Sequence, residues 1–219
     1  MHNSNFVENK YCFILIAGPN GAGKSTFVKN NRHLLDILRY FAIDYVHNPD
    51  KLASYYCEKY KESLDKSNKK ALDDIELEVD GCISNYRSVA VETVLASEKY
   101  KKYWIDRNTE NTKFEKILFY IGIESPLVSE KHIKMRVLNG GHDIPKDKIE
   151  PRFNTSINNL VWFAKRADIF YIYENKHIES SNDPGETYVL IANKMGIDNF
   201  PHILEKPSFK WLEEKLKEL

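Results

Sequence analysis

Apolar residues fall in short unbroken blocks separated by longer polar stretches. Tyr11–Ala17 (YCFILIA) is apolar at every position, and Ile117–Ile123 (ILFYIGI) is nearly so. Runs of this kind suit strands of a parallel sheet covered on both faces. Shorter blocks predict further strands at Tyr40–Ile43, Ser88–Val91, Asp168–Tyr173 and Tyr188–Ala192. The stretches between them predict helices. One runs from about Lys24 to Arg32, and residues 50–86 are mostly helical and charged, with a break near Ser67-Asn68. Another helix covers 97–108. Ser125-Pro126 opens the next as N-cap and first position, and Gly140-Gly141 closes it. A further helix has its cap signature in Asp147 and Glu150 and sets Ile149, Phe153, Ile157, Leu160 and Ala164 along one face. Trp211–Leu219 is a closing amphipathic helix. Strands alternating with helices predict an α/β fold, a parallel sheet with helices on both faces. Residues 1–9 are expected to be a flexible lead-in, and residues 10–219 one domain.

The first apolar block runs straight into Gly18-Pro-Asn-Gly-Ala-Gly-Lys-Ser25, which matches the phosphate-binding loop GxxxxGK[ST]. Its context is the required one, a buried strand before it and a helix after it. Glycine lets the backbone wrap closely, so that N–H groups converge on a phosphate. The candidate nucleotide-binding residues are therefore Gly18, Asn20, Gly21, Ala22, Gly23, Lys24, Ser25 and Thr26. Lys24 supplies a point charge to the outer phosphates, and the Ser25 hydroxyl is the candidate Mg²⁺ ligand. The helix that follows adds unpaired N–H donors and a positive dipole end.

Composition narrows the partners. Lys+Arg and Asp+Glu both number 32, so the formal net charge is zero and no global basic surface for nucleic acid or anionic lipid is indicated. No apolar run approaches the length of a membrane span, and no secretory leader is expected. The three cysteines, Cys12, Cys57 and Cys82, are scattered without CxxC spacing, which fits a reducing, cytoplasmic setting rather than a disulfide framework or a zinc site.

The class of nucleotide protein follows from what accompanies the loop. A GTPase base-reading NKxD is lacking, since Asn193-Lys194-Met195 is followed by Gly196, and no LSGGQ-type signature is present. The predicted second and third strands instead end at Asp44 and Glu92. Carboxyl ends of strands in an open parallel sheet face the ligand crevice. Two carboxylates there suit a small-molecule kinase, one accepting a hydroxyl proton and the other orienting the substrate or holding the metal. Arg136 and Arg152 flank Gly140-Gly141-His142-Asp143-Ile144-Pro145 and are candidates for a kinase-like lid over the transferring phosphate, because guanidinium pairs bidentately with phosphate oxygens. His142 is assigned no role. Two other readings stay open: an ATPase module that works through a protein partner, and a polynucleotide 5′-hydroxyl kinase, which the zero net charge disfavours.

The combination IAGPNGAGKSTF (Ile16–Phe27), FAID ending at Asp44, VETVLAS (Val91–Ser97), RVLNGGHDIPKDKIEPRF (Arg136–Phe153) and ADIFYIYEN (Ala167–Asn175) resembles the zeta toxin family of P-loop kinases, in particular its short, predicted-ATPase branch. The resemblance implies ATP and Mg²⁺, with Lys24, Arg136 and Arg152 on phosphate, Asp44 as base, and Glu92 with Thr93 on the substrate side. It also implies phosphoryl transfer to a hydroxyl, in characterised zeta toxins that of UDP-N-acetylglucosamine, and an antitoxin partner. The chain departs from the family's ETTLS at Glu92-Thr93-Val94-Leu95-Ala96, and has Glu174-Asn175 where the family often has Asp-Asn.

Overall fold

The computed structural model describes residues 11–105, 114–141, 143–176, 187–195 and 200–219. The lead-in 1–9, the end of the helix expected over 97–108, and His142 lie outside the described residues. β1 (Tyr11–Ala17) is buried along almost its whole length, as a strand covered on both faces must be. Phe13, Leu15 and Ala17 enter one apolar cluster and Cys12, Ile14 and Ile16 the other, so successive side chains supply two cores, one on each side of the sheet.

The glycine-rich turn leads to α1 (Lys24–Asn30) and then α2 (Arg32–Tyr40). One helix was expected here. Asn31 interrupts it, because its side chain accepts the Leu34 N–H at 2.9 Å and caps a new helix. The strand expected at Tyr40–Ile43 does not form. Leu34, Ile37, Leu38 and Phe41 are all buried and share the 3–4 spacing of a helix face, and that stripe carries α2 to Tyr40. Ala42 then reverses the chain at φ 53°, and β2 (Val46–His47) is only two residues long. α3 (Pro49–Tyr60) and α4 (Leu64–Ser84) follow, separated at Lys61 rather than at Ser67-Asn68.

β3 (Val89–Thr93) contains Glu92 within the strand, and α5 (Lys101–Ile105) leads on toward β4 (Phe114–Gly122). α6 (Pro126–Leu138) is capped by Ser125, whose hydroxyl accepts from the Val128 N–H at 3.3 Å, with Pro126 in the first turn as expected. α7 (Lys146–Arg166) buries Ile149, Phe153, Ile157, Leu160 and Ala164, the face its spacing demanded. β5 (Ile169–Asn175), β6 (Tyr188–Lys194), β7 (His202–Ile203) and α8 (Lys210–Leu216) complete the order.

The sheet runs β2-β3-β1-β4-β5-β6-β7. Its first five strands are parallel, whereas β6 and β7 pair antiparallel, so the sheet is mixed and not wholly parallel as expected. An antiparallel edge on a parallel sheet is common in doubly wound folds. β1 sits between β3 and β4, where chain excursions leave to opposite sides. The crevice beyond the carboxyl end of β1 is the topological switch point at which such sheets bind ligands. No helix among the described residues is long and apolar enough to cross a membrane.

Candidate active site

The phosphate loop leaves β1 through Gly18, at φ 144°, where a Cβ would fall 2.2 Å from the Ile121 carbonyl oxygen of β4. Only glycine permits that approach. Lys24 opens α1 and is almost wholly buried. Its ammonium donates to the carbonyls of Gly18 and Pro19, each at 2.9 Å. Burial pulls its pKa down, while the negative charges of Glu92 and Asp50 oppose that shift.

Ser25, Asn48 and Glu92 form one network at the ends of α1, β2 and β3. Ser25 Oγ donates to the Glu92 carboxylate, 2.9 and 3.0 Å from its two oxygens. Asn48 Nδ2 donates to Glu92 Oε2 at 2.6 Å, and Asn48 Oδ1 caps α3 by accepting the Lys51 N–H at 3.0 Å. Two hard oxygen donors, the Ser25 hydroxyl and the Glu92 carboxylate, thus meet beside the loop, and this is the donor chemistry that Mg²⁺ takes together with phosphate oxygens and water. Among the described residues no cluster of three or more His, Cys, Asp or Glu forms an all-protein cage. A donor set that small fits a cation held jointly with a nucleotide.

A cavity of about 390 Å³ opens in front of this network. Lys24, Asp50, Glu92, Thr93, Arg136 and Arg152 all line it, so five elements, α1, α3, β3, α6 and α7, contribute side chains to one space, both candidate lid arginines among them. Asp143, Ile144 and Pro145 from the connection between α6 and α7 form part of its wall. Gly140 makes the turn after α6 at φ 81°. Arg136 Nη1 lies 3.8 Å from Asp50 Oδ2, a partly exposed pair and hence weakly coupled. Leu64, Asn68 and Leu72 of α4 and Val94, Ala96 and Tyr100 after β3 also line it.

Asp44 is the sequence candidate that the structure does not bring here. Because the strand expected before it is the end of α2, Asp44 falls in the following turn, exposed, and it is not among the residues lining the cavity. The strand-end position belongs instead to Asn48, and the first turn of α3 delivers Asp50 to the cavity. Neither was singled out from sequence. The signal was there in Asn48-Pro49, an N-cap followed by proline at the first helical position, the same signature that located α6 at Ser125-Pro126.

No protein-family profile matches the chain, and no curated protein matches it in sequence. Solved structures do. A chain of the AvrRxo1-ORF1:AvrRxo1-ORF2 complex with sulphate ions matches at TM-score 0.68 and 15% identity, over 94% of this chain and 63% of that one. The same complex with ATP matches at TM-score 0.68 and 15% identity, over 95% and 62%. A chain of the PezAT chromosomal toxin–antitoxin system of Streptococcus pneumoniae matches at TM-score 0.53 and 17% identity, over 81% and 76%. The chain shares the α/β fold of these proteins. It spans less than two thirds of the AvrRxo1 chain it matches, and at these identities the likeness concerns the fold.

Proposed function

We propose that the chain is an ATP-dependent phosphotransferase that passes the γ-phosphoryl group to a hydroxyl of a small molecule. The observation that carries this reading is the convergence of Lys24, Arg136 and Arg152 with two carboxylates, Asp50 and Glu92, on one cavity at the mouth of the phosphate loop. A hydrolase that delivers phosphate to water has no need of an acceptor chamber beyond the phosphates. Here the cavity continues past Thr93 to α4 and Tyr100.

The chemistry follows from the residues. Lys24, already in the loop, exchanges its two carbonyl partners for phosphate oxygens. Arg136 and Arg152 face the same space from α6 and α7 and offset the negative charge that spreads over the transferring group. Asp50, which lines the cavity, would accept the proton of the acceptor hydroxyl, the role that sequence assigned to Asp44. Ser25 and Glu92 would hold Mg²⁺, which when bound would neutralise negative charge in the transition state.

A nucleotide sugar such as UDP-N-acetylglucosamine is the first acceptor to test, and an antitoxin protein the first partner; both follow from the resemblance, and a cytoplasmic setting is part of the same reading. The test is incubation with ATP and Mg²⁺, alone and with a panel of nucleotide sugars, followed by mass spectrometry for a product heavier by one phosphoryl group. Phosphate release with no phosphorylated acceptor from any pool, including a cytoplasmic metabolite extract, would replace the kinase by an ATPase module that acts through a partner.

A further inference from the structure

All carbonyls of the phosphate loop from Gly18 to Gly23 have a partner. Lys24 takes the first two. The next four are taken one each by side chains from three other elements. Ser129 Oγ donates to Asn20 O at 2.6 Å, and His132 Nδ1 to Gly21 O at 2.9 Å, both from α6. Asn175 Nδ2 of β5 donates to Ala22 O at 3.1 Å, and the Tyr188 hydroxyl of β6 to Gly23 O at 2.8 Å.

A peptide's N–H points opposite its C=O. Holding the carbonyls of Asn20 to Gly23 against α6, β5 and β6 therefore turns the N–H groups of the same peptides away from those elements, apart from the Ala22 N–H, which closes the turn onto Pro19 O at 3.2 Å. The packing around the glycines gives an independent sign that the clamp is close-fitting. A Cβ at Gly21 would meet Ser129 O at 2.8 Å, and one at Gly23 would meet the Tyr188 hydroxyl at 2.6 Å and Asn175 Nδ2 at 2.8 Å. Ser129 and Asn175 are buried, and Ser129, His132 and Arg136 lie on one stripe of α6 at spacings of three and four. The stripe that grips the loop thus ends in a cavity-lining arginine.

We propose that Ser129, His132, Asn175 and Tyr188 are positioning residues that set the phosphate loop in its anion-accepting shape before nucleotide arrives, and that α6 thereby fixes Arg136 relative to the loop. This rests on the reading that the loop takes the phosphates of ATP. A loop whose carbonyls were released would present oxygen lone pairs to an anion and would have to reorder on binding, which lowers affinity.

The test measures ATP–Mg²⁺ affinity by calorimetry, melting temperature without ligand, and steady-state KM and kcat. The variants are Tyr188→Phe, His132→Leu, the double variant, and His132→Asn, whose amide nitrogen can stand where Nδ1 stands. The expected result is a loss of affinity of about threefold to tenfold for each of the first two and more for the double variant. KM for ATP should rise more than kcat falls, the melting temperature of Tyr188→Phe should stay near that of wild type, and His132→Asn should restore binding to within about twofold. Wild-type affinity in the double variant overturns the proposal. So does an affinity loss that merely tracks the melting temperature, with His132→Asn as impaired as His132→Leu. If Tyr188→Phe fails to fold, the His132 pair decides alone. Failure of the wild type to bind ATP overturns the nucleotide reading itself, and is thereby distinguished from wild-type binding that the variants leave intact.

Discussion

Asn48 donates its side-chain amide to Glu92 across 2.6 Å, joining the N-cap of α3 to the last turn of chemistry on β3. Glu92 accepts Ser25 at the same time. The carboxylate is thereby held against the start of α1, on the wall of the cavity that Lys24 also lines. The expected consequence is a metal defect. Glu92→Gln should raise the Mg²⁺ concentration needed for half-maximal ATP turnover by about tenfold or more, the scale on which loss of a metal-orienting group acts. A titration of turnover with Mg²⁺ at saturating ATP measures it. An unchanged Mg²⁺ requirement with a lower kcat would move Glu92 to the acceptor side.

Lys24 is buried, and its hydrogen bonds among the described residues go to carbonyls of its own loop. Lys24→Ala should therefore remain folded while losing most ATP turnover. Loss of a transition-state phosphate contact costs on the order of 3 kcal/mol, about a hundredfold in rate. Circular dichroism checks the first half and steady-state ATP consumption the second. Near-native turnover would remove Lys24 from the chemistry.

What was legible in the sequence divides along physical lines. The phosphate loop, β1, β4 and the buried face of α7 are carried by contiguous or periodic patterns, and those survive folding unchanged. Asp44 was misplaced because four apolar residues at Tyr40–Ile43 satisfy a short strand and the end of a helix equally well, and the longer stripe from Leu34 to Phe41 decided for the helix. β2 is two residues long and has no periodicity to read. The carbonyl clamps were out of reach for another reason. Tyr188 meets Gly23 across 165 positions and Asn175 meets Ala22 across 153, so only tertiary structure brings them together.

Asp50 and Asp44 separate cleanly by experiment. Asp50→Asn keeps the shape of the side chain but cannot take up a hydroxyl proton, so transfer should fall about 10² to 10⁴-fold with ATP binding little changed. Asp44→Asn changes an exposed turn outside the cavity wall and should leave transfer within about twofold. Rates on one identified acceptor decide between them, and the reverse pattern would return the base to Asp44.

Arg136 and Arg152 should affect kcat more than nucleotide affinity. Both line the cavity, and the 3.8 Å pairing of Arg136 with Asp50 is partly exposed, so that pairing is weak. Groups that engage fully only as charge develops lower kcat when removed. Calorimetry and kcat measured on Arg136→Ala and Arg152→Ala form the check. Collapse of affinity with kcat intact would make them ground-state phosphate ligands.

Far from the loop, at the opposite end of the sheet, Glu115 on β4 is 4% exposed and its Oε2 has no hydrogen-bond partner among the described residues. Burial pushes its pKa up to about 7, and the nearby negative charge of Asp168 adds to the effect. A carboxyl whose folded pKa lies above its unfolded value of 4.5 binds its proton more tightly in the native state. Stability is then greatest below the unfolded value, falls as pH rises from about 4.5 to 7, and stays reduced above that, by roughly 3 kcal/mol for a shift of this size. Glu115→Gln removes the ionisation while keeping the shape. The variant should be more stable than wild type at pH 8, and the difference should shrink toward zero or reverse at pH 5. Urea unfolding of both proteins at the two pH values measures it. Parallel stability curves across that range would mean that Glu115 ionises freely in the folded protein.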